Sequence, residues 1–91
     1  MGATVILSIK VMPDSPQAPL HDIKNHIRNF MEKHGAKSLS IDEQDIAFGL
    51  KALIIKCALP EEKGTDLIES GLATIQNVSS VTIEEYRRAF G

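Results

Sequence analysis

Asp45-Ile46-Ala47-Phe48-Gly49-Leu50-Lys51-Ala52-Leu53-Ile54-Ile55 is the stretch on which the fold of this 91-residue chain turns. From position 50 to position 59 almost every residue is apolar. Leu53, Ile54 and Ile55 favour extended backbone, so the sequence predicts a strand in the middle of a small sheet. Phe48 and Gly49 break the pattern just before it. Glycine takes backbone angles closed to other residues, which lets the chain bend or bulge at Gly49. Phe48, one of three Phe, stands where a packed core is least able to use it. It is either a plug for the end of the core or a knob for a partner, and the pattern alone leaves both open.

On the N-terminal side of this corner, residues 37–46 alternate weakly, with Leu39 and Ile41 facing in. The charges at Asp42, Glu43 and Asp45 suit an edge strand, which must discourage pairing with other chains. Further upstream, residues 3–12 place Val5, Leu7, Ile9 and Val11 on one face and Thr4, Ser8 and Lys10 on the other. Ile6 interrupts the polar face, as expected of a central strand. Pro13, Pro16 and Pro19 make the following segment a loop. Then Leu20, Ile23, Ile27, Phe30 and Met31 recur at helical spacing, and Gly35 is a natural stop.

Downstream, Leu53, Ile55, Cys57 and Leu59 form one strand face, and Ala52, Ile54, Lys56 and Ala58 the other. Residues 60–64 read as a turn. Thr65 is placed to cap a second helix with the stripe Ile68, Gly71, Leu72 and Ile75, ending near Asn77. Gly71 in that stripe implies a close approach, expected to be to the sheet. Residues 78–86 make a last strand through Val81 and Ile83, followed by a basic, then apolar tail. Strand, helix, strand, strand, helix, strand is the split βαβ order of an α+β, ferredoxin-like sandwich. Its four-stranded antiparallel sheet carries both helices on one face. The other face is then open and carries Ile6, Ser8, Lys10, Ala52, Ile54 and Lys56.

The composition excludes several function classes. Net charge is -2 and the pI about 5.9, so no general basic field exists for nucleic acid or an anionic membrane. One cysteine, Cys57, rules out a disulfide framework and suggests a buried, inert thiol. No apolar run approaches the roughly 20 residues that cross a bilayer, so a soluble, cytoplasmic protein is expected. His21, His26 and His34 stand five and eight residues apart, which does not put two imidazoles on one helix face. No phosphate-cradling glycine loop follows a strand. The sheet lacks the aromatics on which an RNA-binding version of this fold stacks bases. No enzyme chemistry, metal or cofactor is expected.

Three segments together resemble a known family. They are Val5-Ile6-Leu7-Ser8-Ile9-Lys10-Val11-Met12-Pro13, Asp45-Ile46-Ala47-Phe48-Gly49-Leu50-Lys51-Ala52-Leu53, and Val78-Ser79-Ser80-Val81 with the Tyr86-Arg87-Arg88 ending. They look like translation elongation factor 1-beta in its short archaeal form, in the right order over nearly the whole chain. The resemblance implies a single guanine nucleotide exchange domain over residues 1–91. Its partner would be elongation factor 1-alpha, the GTPase that delivers aminoacyl-tRNA to the ribosome.

In eukaryotic relatives an aromatic residue matching Phe48 packs into a pocket of the GTPase, and a lysine near the C-terminus reaches its magnesium and phosphate site. The resemblance therefore implies a partner surface of Phe48, Gly49, Lys51, Arg87 and Arg88, with Arg88 at the position of that lysine. Arginine there is a departure, since it is bulkier and forked where lysine is compact. The extension that docks eukaryotic members to sister subunits is missing, so a stand-alone module, monomeric when free, is expected. A different class of reading is a small regulatory or ligand-sensing domain that self-associates through the open sheet face, motivated by Ile6, Ala52 and Ile54.

Overall fold

Four strands and two helices follow one another in the order that the hydropathy patterns require. The computed structural model describes residues 3–89 and runs β1 (Thr4–Pro13), α1 (Leu20–Lys33), β2 (Lys37–Asp45), β3 (Lys51–Pro60), α2 (Thr65–Ala73) and β4 (Val78–Ala89). A short 3-10 turn, Glu61–Lys63, joins β3 to α2. The strands pair antiparallel in the order β2-β3-β1-β4, which puts β1 and β3 in the centre. Both helices pack on one face, giving the ferredoxin-like α+β sandwich.

The core is the meeting of three apolar faces. Val5, Leu7, Ile9 and Val11 of β1 and Leu53, Ile55, Cys57 and Leu59 of β3 face Ile23, Ile27 and Met31 of α1 and Ile68 and Leu72 of α2. Ile9 and Ile55 are directly opposite in the register and fully buried. Removing each such side chain from water contributes about 1.5–3 kcal/mol, so this row is what ties the sheet to its helices. Cys57 lies in the same row, and desolvation pushes its thiol up to about 11. It is therefore a protonated, inert packing residue at neutral pH.

The chain departs from its sequence pattern at four places, each for a local reason. Thr65 does not cap α2: Gly64, at φ 73°, holds the cap position and Thr65 is the first helical residue, with no side-chain capping bond. The 3-10 turn takes up residues 61–63 and delivers the chain one residue early. The helix also stops at Ala73 rather than near Asn77, because the Thr74 hydroxyl and N–H both donate to Gly71 O, at 2.7 and 3.2 Å. Gly71 does mark a close approach, but to α1 and not to the sheet. A Cβ there would lie 2.1 Å from Cζ of Phe30.

Last, β4 does not end at Tyr86. Arg87 and Arg88 continue the ladder opposite Ile6 and Val5, and Ala89 opposite Thr4. The outer edge of β1 has N–H and C=O groups there that need partners, and a basic sequence can supply them as well as an apolar one. Phe90 and Gly91, the apolar end of the expected tail, lie outside the described residues.

On the open face the register bears out Ile6, Ser8, Lys10, Ala52, Ile54 and Lys56 as neighbours. Ser8 and Ala52 are nevertheless buried. Ser8 stands between Lys56 and Glu85, and Ala52 opposite Gln44, and long side chains cover short ones with their aliphatic stems.

Candidate partner-binding site

The β2–β3 corner is a tight hairpin. Leu50 N–H donates to Ala47 O and Ile46 N–H donates to Leu50 O, both at 2.9 Å. The two central residues, Phe48 and Gly49, have φ of 55° and 81°. Positive φ at both is the mark of a type I′ turn, whose twist matches the strands it joins. Gly49 suits such a turn and Phe48 does not, since a bulky side chain at positive φ costs about 1–2 kcal/mol. Packing recovers none of that cost, because Phe48 is 96% exposed. The plug reading is thereby excluded, and Phe48 is a knob held out from the molecule. Ile46 is exposed beside it. From behind, Pro16 of the β1–α1 loop sits 3.6 Å from where a Gly49 Cβ would be.

Lys51, at the base of the hairpin, lies opposite Asp45 and places Nζ 3.6 Å from Glu43 Oε1. Glu43 Oε2 accepts a 2.6 Å hydrogen bond from Lys24 Nζ of α1. The Lys24 ammonium, chiefly, and then Lys51 hold the Glu43 carboxyl below its usual range. Because that pKa is lowered by folding, the link is complete above the ordinary carboxylate range and is lost as pH falls through the lowered value. Lys51 thus helps tie the hairpin base to α1 while half of its side chain stays exposed.

Arg87 and Arg88 project to opposite faces of β4, as strand alternation demands. Arg87, opposite Ile6, is on the open face, with Nε 2.7 Å from Glu85 Oε2. Arg88, opposite Val5, is on the helix-covered side. Its Nε donates to Glu61 Oε2 at 2.8 Å, and its Nη2 donates to Oε1 and Oε2 at 2.5 and 2.6 Å. Glu61 holds the guanidinium all the more firmly in its charged form. In the sequence Glu61 lies in the stretch 60–64 that reads only as a turn. No local signal marks it, because its partner is 27 positions away.

Phe48, Gly49 and Lys51 form one cluster, and the arginines are not part of it. Arg87 sits level with Ala58 through Ile6. The seven steps from Lys51 to Ala58, at about 3.3 Å each, separate the two ends by roughly 23 Å. A partner touching both must span that distance along the strands. Glu61, the partner of Arg88, also lines a cleft of about 310 Å³ together with Val5, Leu7, Leu59, Thr65 and Tyr86. Among the described residues no three His, Cys, Asp or Glu side chains are grouped to hold a metal ion.

Residues 6–89 match the family described as the EF-1 guanine nucleotide exchange domain. Elongation factor 1-beta of Natronomonas pharaonis is 36% identical over 85 residues, covering 92% of this chain and 96% of its own length. The protein of the same name from Methanothermobacter thermautotrophicus is 38% identical over 85 residues, covering 92% and 94%. That of Haloarcula marismortui is 35% identical over 85 residues, covering 92% and 96%.

Proposed function

The chain belongs to the elongation factor 1-beta guanine nucleotide exchange family, and from that premise we propose that it promotes GDP release from elongation factor 1-alpha. Exchange of this kind needs no nucleophile and no general base. The factor must bind the nucleotide-free GTPase more tightly than the loaded one, and reciprocity then obliges it to weaken nucleotide by the same factor. An apolar wedge that shifts the phosphate site and a cation that competes with magnesium suffice for this.

The observation that carries the reading is Phe48: an aromatic ring 96% exposed on a tight, hydrogen-bonded turn, in a backbone conformation that disfavours it. Strain kept at a solvent-facing position points to use by a partner. Gly49 permits the turn and Lys51 steadies its base. Arg88 is the proposed cation, and its distance from Phe48 requires two separate points of contact on the GTPase. The test is the rate of GDP release from elongation factor 1-alpha with and without this protein. In the free state the protein is proposed to be a monomer. A tight homodimer in light scattering, burying Ile54 and its neighbours, would favour self-association instead.

The arginine pair provides a sharper prediction. Among the described residues, ending the chain after Tyr86 removes the exposed Arg87 and Arg88 and the half-buried Ala89, with their ladder to the start of β1, but none of the buried core, so the fold is expected to survive. Catalysed release should fall several-fold more than affinity for the nucleotide-free partner, because the wedge still holds the complex. Arg88→Ala should account for most of that loss, and Arg88→Lys should keep part of the activity through its charge. Arg87→Ala acts on the other face of the sheet and should do little. Release measured for the four proteins decides, and Arg87→Ala as the more harmful change would move the contact to the open face.

A further inference from the structure

Glu61 opens the 3-10 turn, and its backbone N–H donates to Ala3 O at 2.9 Å, so the residue is tied to the start of β1. Its carboxylate grips Arg88 from the side, through Nε and Nη2. A guanidinium is a rigid planar fork of five N–H donors. The grip occupies the Nε–Nη2 edge and leaves Nη1, and among the described residues no other side chain accepts a hydrogen bond from Arg88. Arg87 differs, since a single Nε contact to Glu85, two residues back on the same strand, fixes it far less.

We infer that Glu61 is a positioning residue: by holding one edge of the Arg88 guanidinium it presents the other edge, in one orientation, to an anionic oxygen of the partner's nucleotide site. This rests on the proposed role of Arg88 in exchange. An unrestrained arginine loses its rotamer freedom at the moment of docking, whereas one already gripped by a carboxylate has lost it beforehand. The same grip keeps two negative oxygens on the far side of the guanidinium, so that the outward edge meets the partner with its N–H donors free.

Glu61→Gln keeps the size of the side chain but removes its charge and one acceptor. The maximal rate of catalysed GDP release should fall about fivefold, with the half-saturating concentration unchanged and the melting temperature preserved. Adding Glu61→Gln to Arg88→Ala should cause no further loss, because the two act as one unit. Glu62→Gln, the neighbour, should have no effect. A phosphate as the anion leaves affinity for the nucleotide-free GTPase intact in the Glu61 variant, while a carboxylate of the GTPase lowers it. A second readout needs no partner: the Arg88 Nε–H signal in nitrogen-15 spectra of the free protein should exchange slowly with solvent, and quickly in Glu61→Gln. The inference is overturned if Glu61→Gln leaves release unchanged or speeds it, the mark of a carboxylate that merely competes with the partner. Additive losses in the double variant, or a rapidly exchanging Nε–H in the wild type, overturn it equally. Should the wild type not accelerate GDP release at all, the exchange reading falls, and the Nε–H signal still decides whether Glu61 holds Arg88.

Discussion

Phe48→Ala is expected to slow catalysed GDP release at least tenfold, equivalent to about 1.4 kcal/mol of lost transition-state stabilisation, without destabilising the protein. The ring is 96% exposed, so its removal opens no cavity and the usual cost of about 3–5 kcal/mol for a buried Phe does not arise. Alanine at a φ of 55° also carries the same backbone penalty as phenylalanine, so the melting temperature should stay with the wild type. Phe48→Asn separates the two effects further. Asn-Gly is the favoured pair for a type I′ turn, and relief of the left-handed strain should stabilise the fold by up to about 1 kcal/mol. Exchange by that variant should fall as far as with alanine. Thermal melts and release rates of the two variants together check the account. A large drop in melting temperature for Phe48→Ala, or full exchange activity in either variant, would contradict it.

Gly71→Ala should destabilise the protein, although alanine is the better helix former. The intrinsic gain is about 1 kcal/mol. Against it, the new Cβ would lie 2.1 Å from Cζ and 2.4 Å from Cε1 of Phe30, so the ring or the helix must move. The ring cannot simply swing aside, because it also leans on His34, with centroids 4.4 Å apart, and packs against the core. Overpacking of this kind costs typically about 1–3 kcal/mol, and a domain of this size loses about 4–8 °C of melting temperature per kcal/mol. Phe30→Leu in the same chain should recover part of the loss by removing the colliding ring atoms. A Gly71→Ala protein that melts at or above the wild type would show that α1 and α2 are not held at this separation.

The element order was legible because two periods dominate the chain. Val5 to Val11 and Leu53 to Leu59 alternate cleanly, and Ile23, Ile27 and Met31 recur at the helical period, so both faces of every central element were readable. Boundaries governed by hydrogen bonding rather than hydropathy were not. The Thr74 hydroxyl ends α2 early, Gly64 displaces Thr65 from the cap, and the edge of β1 recruits Arg87 and Arg88 into β4. The candidate site divides in the same way. Phe48 could be singled out because an aromatic before Gly49 at a strand's start stands where a packed core is least able to use it. Whether it was plug or knob depended on its φ and its exposure, which no pattern encodes. The grip of Glu61 on Arg88 joins the end of β3 to the end of β4 and exists only once the sheet has formed.

The central claim is that this protein opens the nucleotide site of a GTPase by contact alone. Its most direct test is to load the cognate elongation factor 1-alpha with a fluorescent GDP analogue, chase with excess unlabelled nucleotide, and add this protein in increasing amounts. Release is expected to accelerate at substoichiometric concentrations and to saturate, with the factor turning over. A release rate that stays at its intrinsic value even at stoichiometric excess would contradict the account.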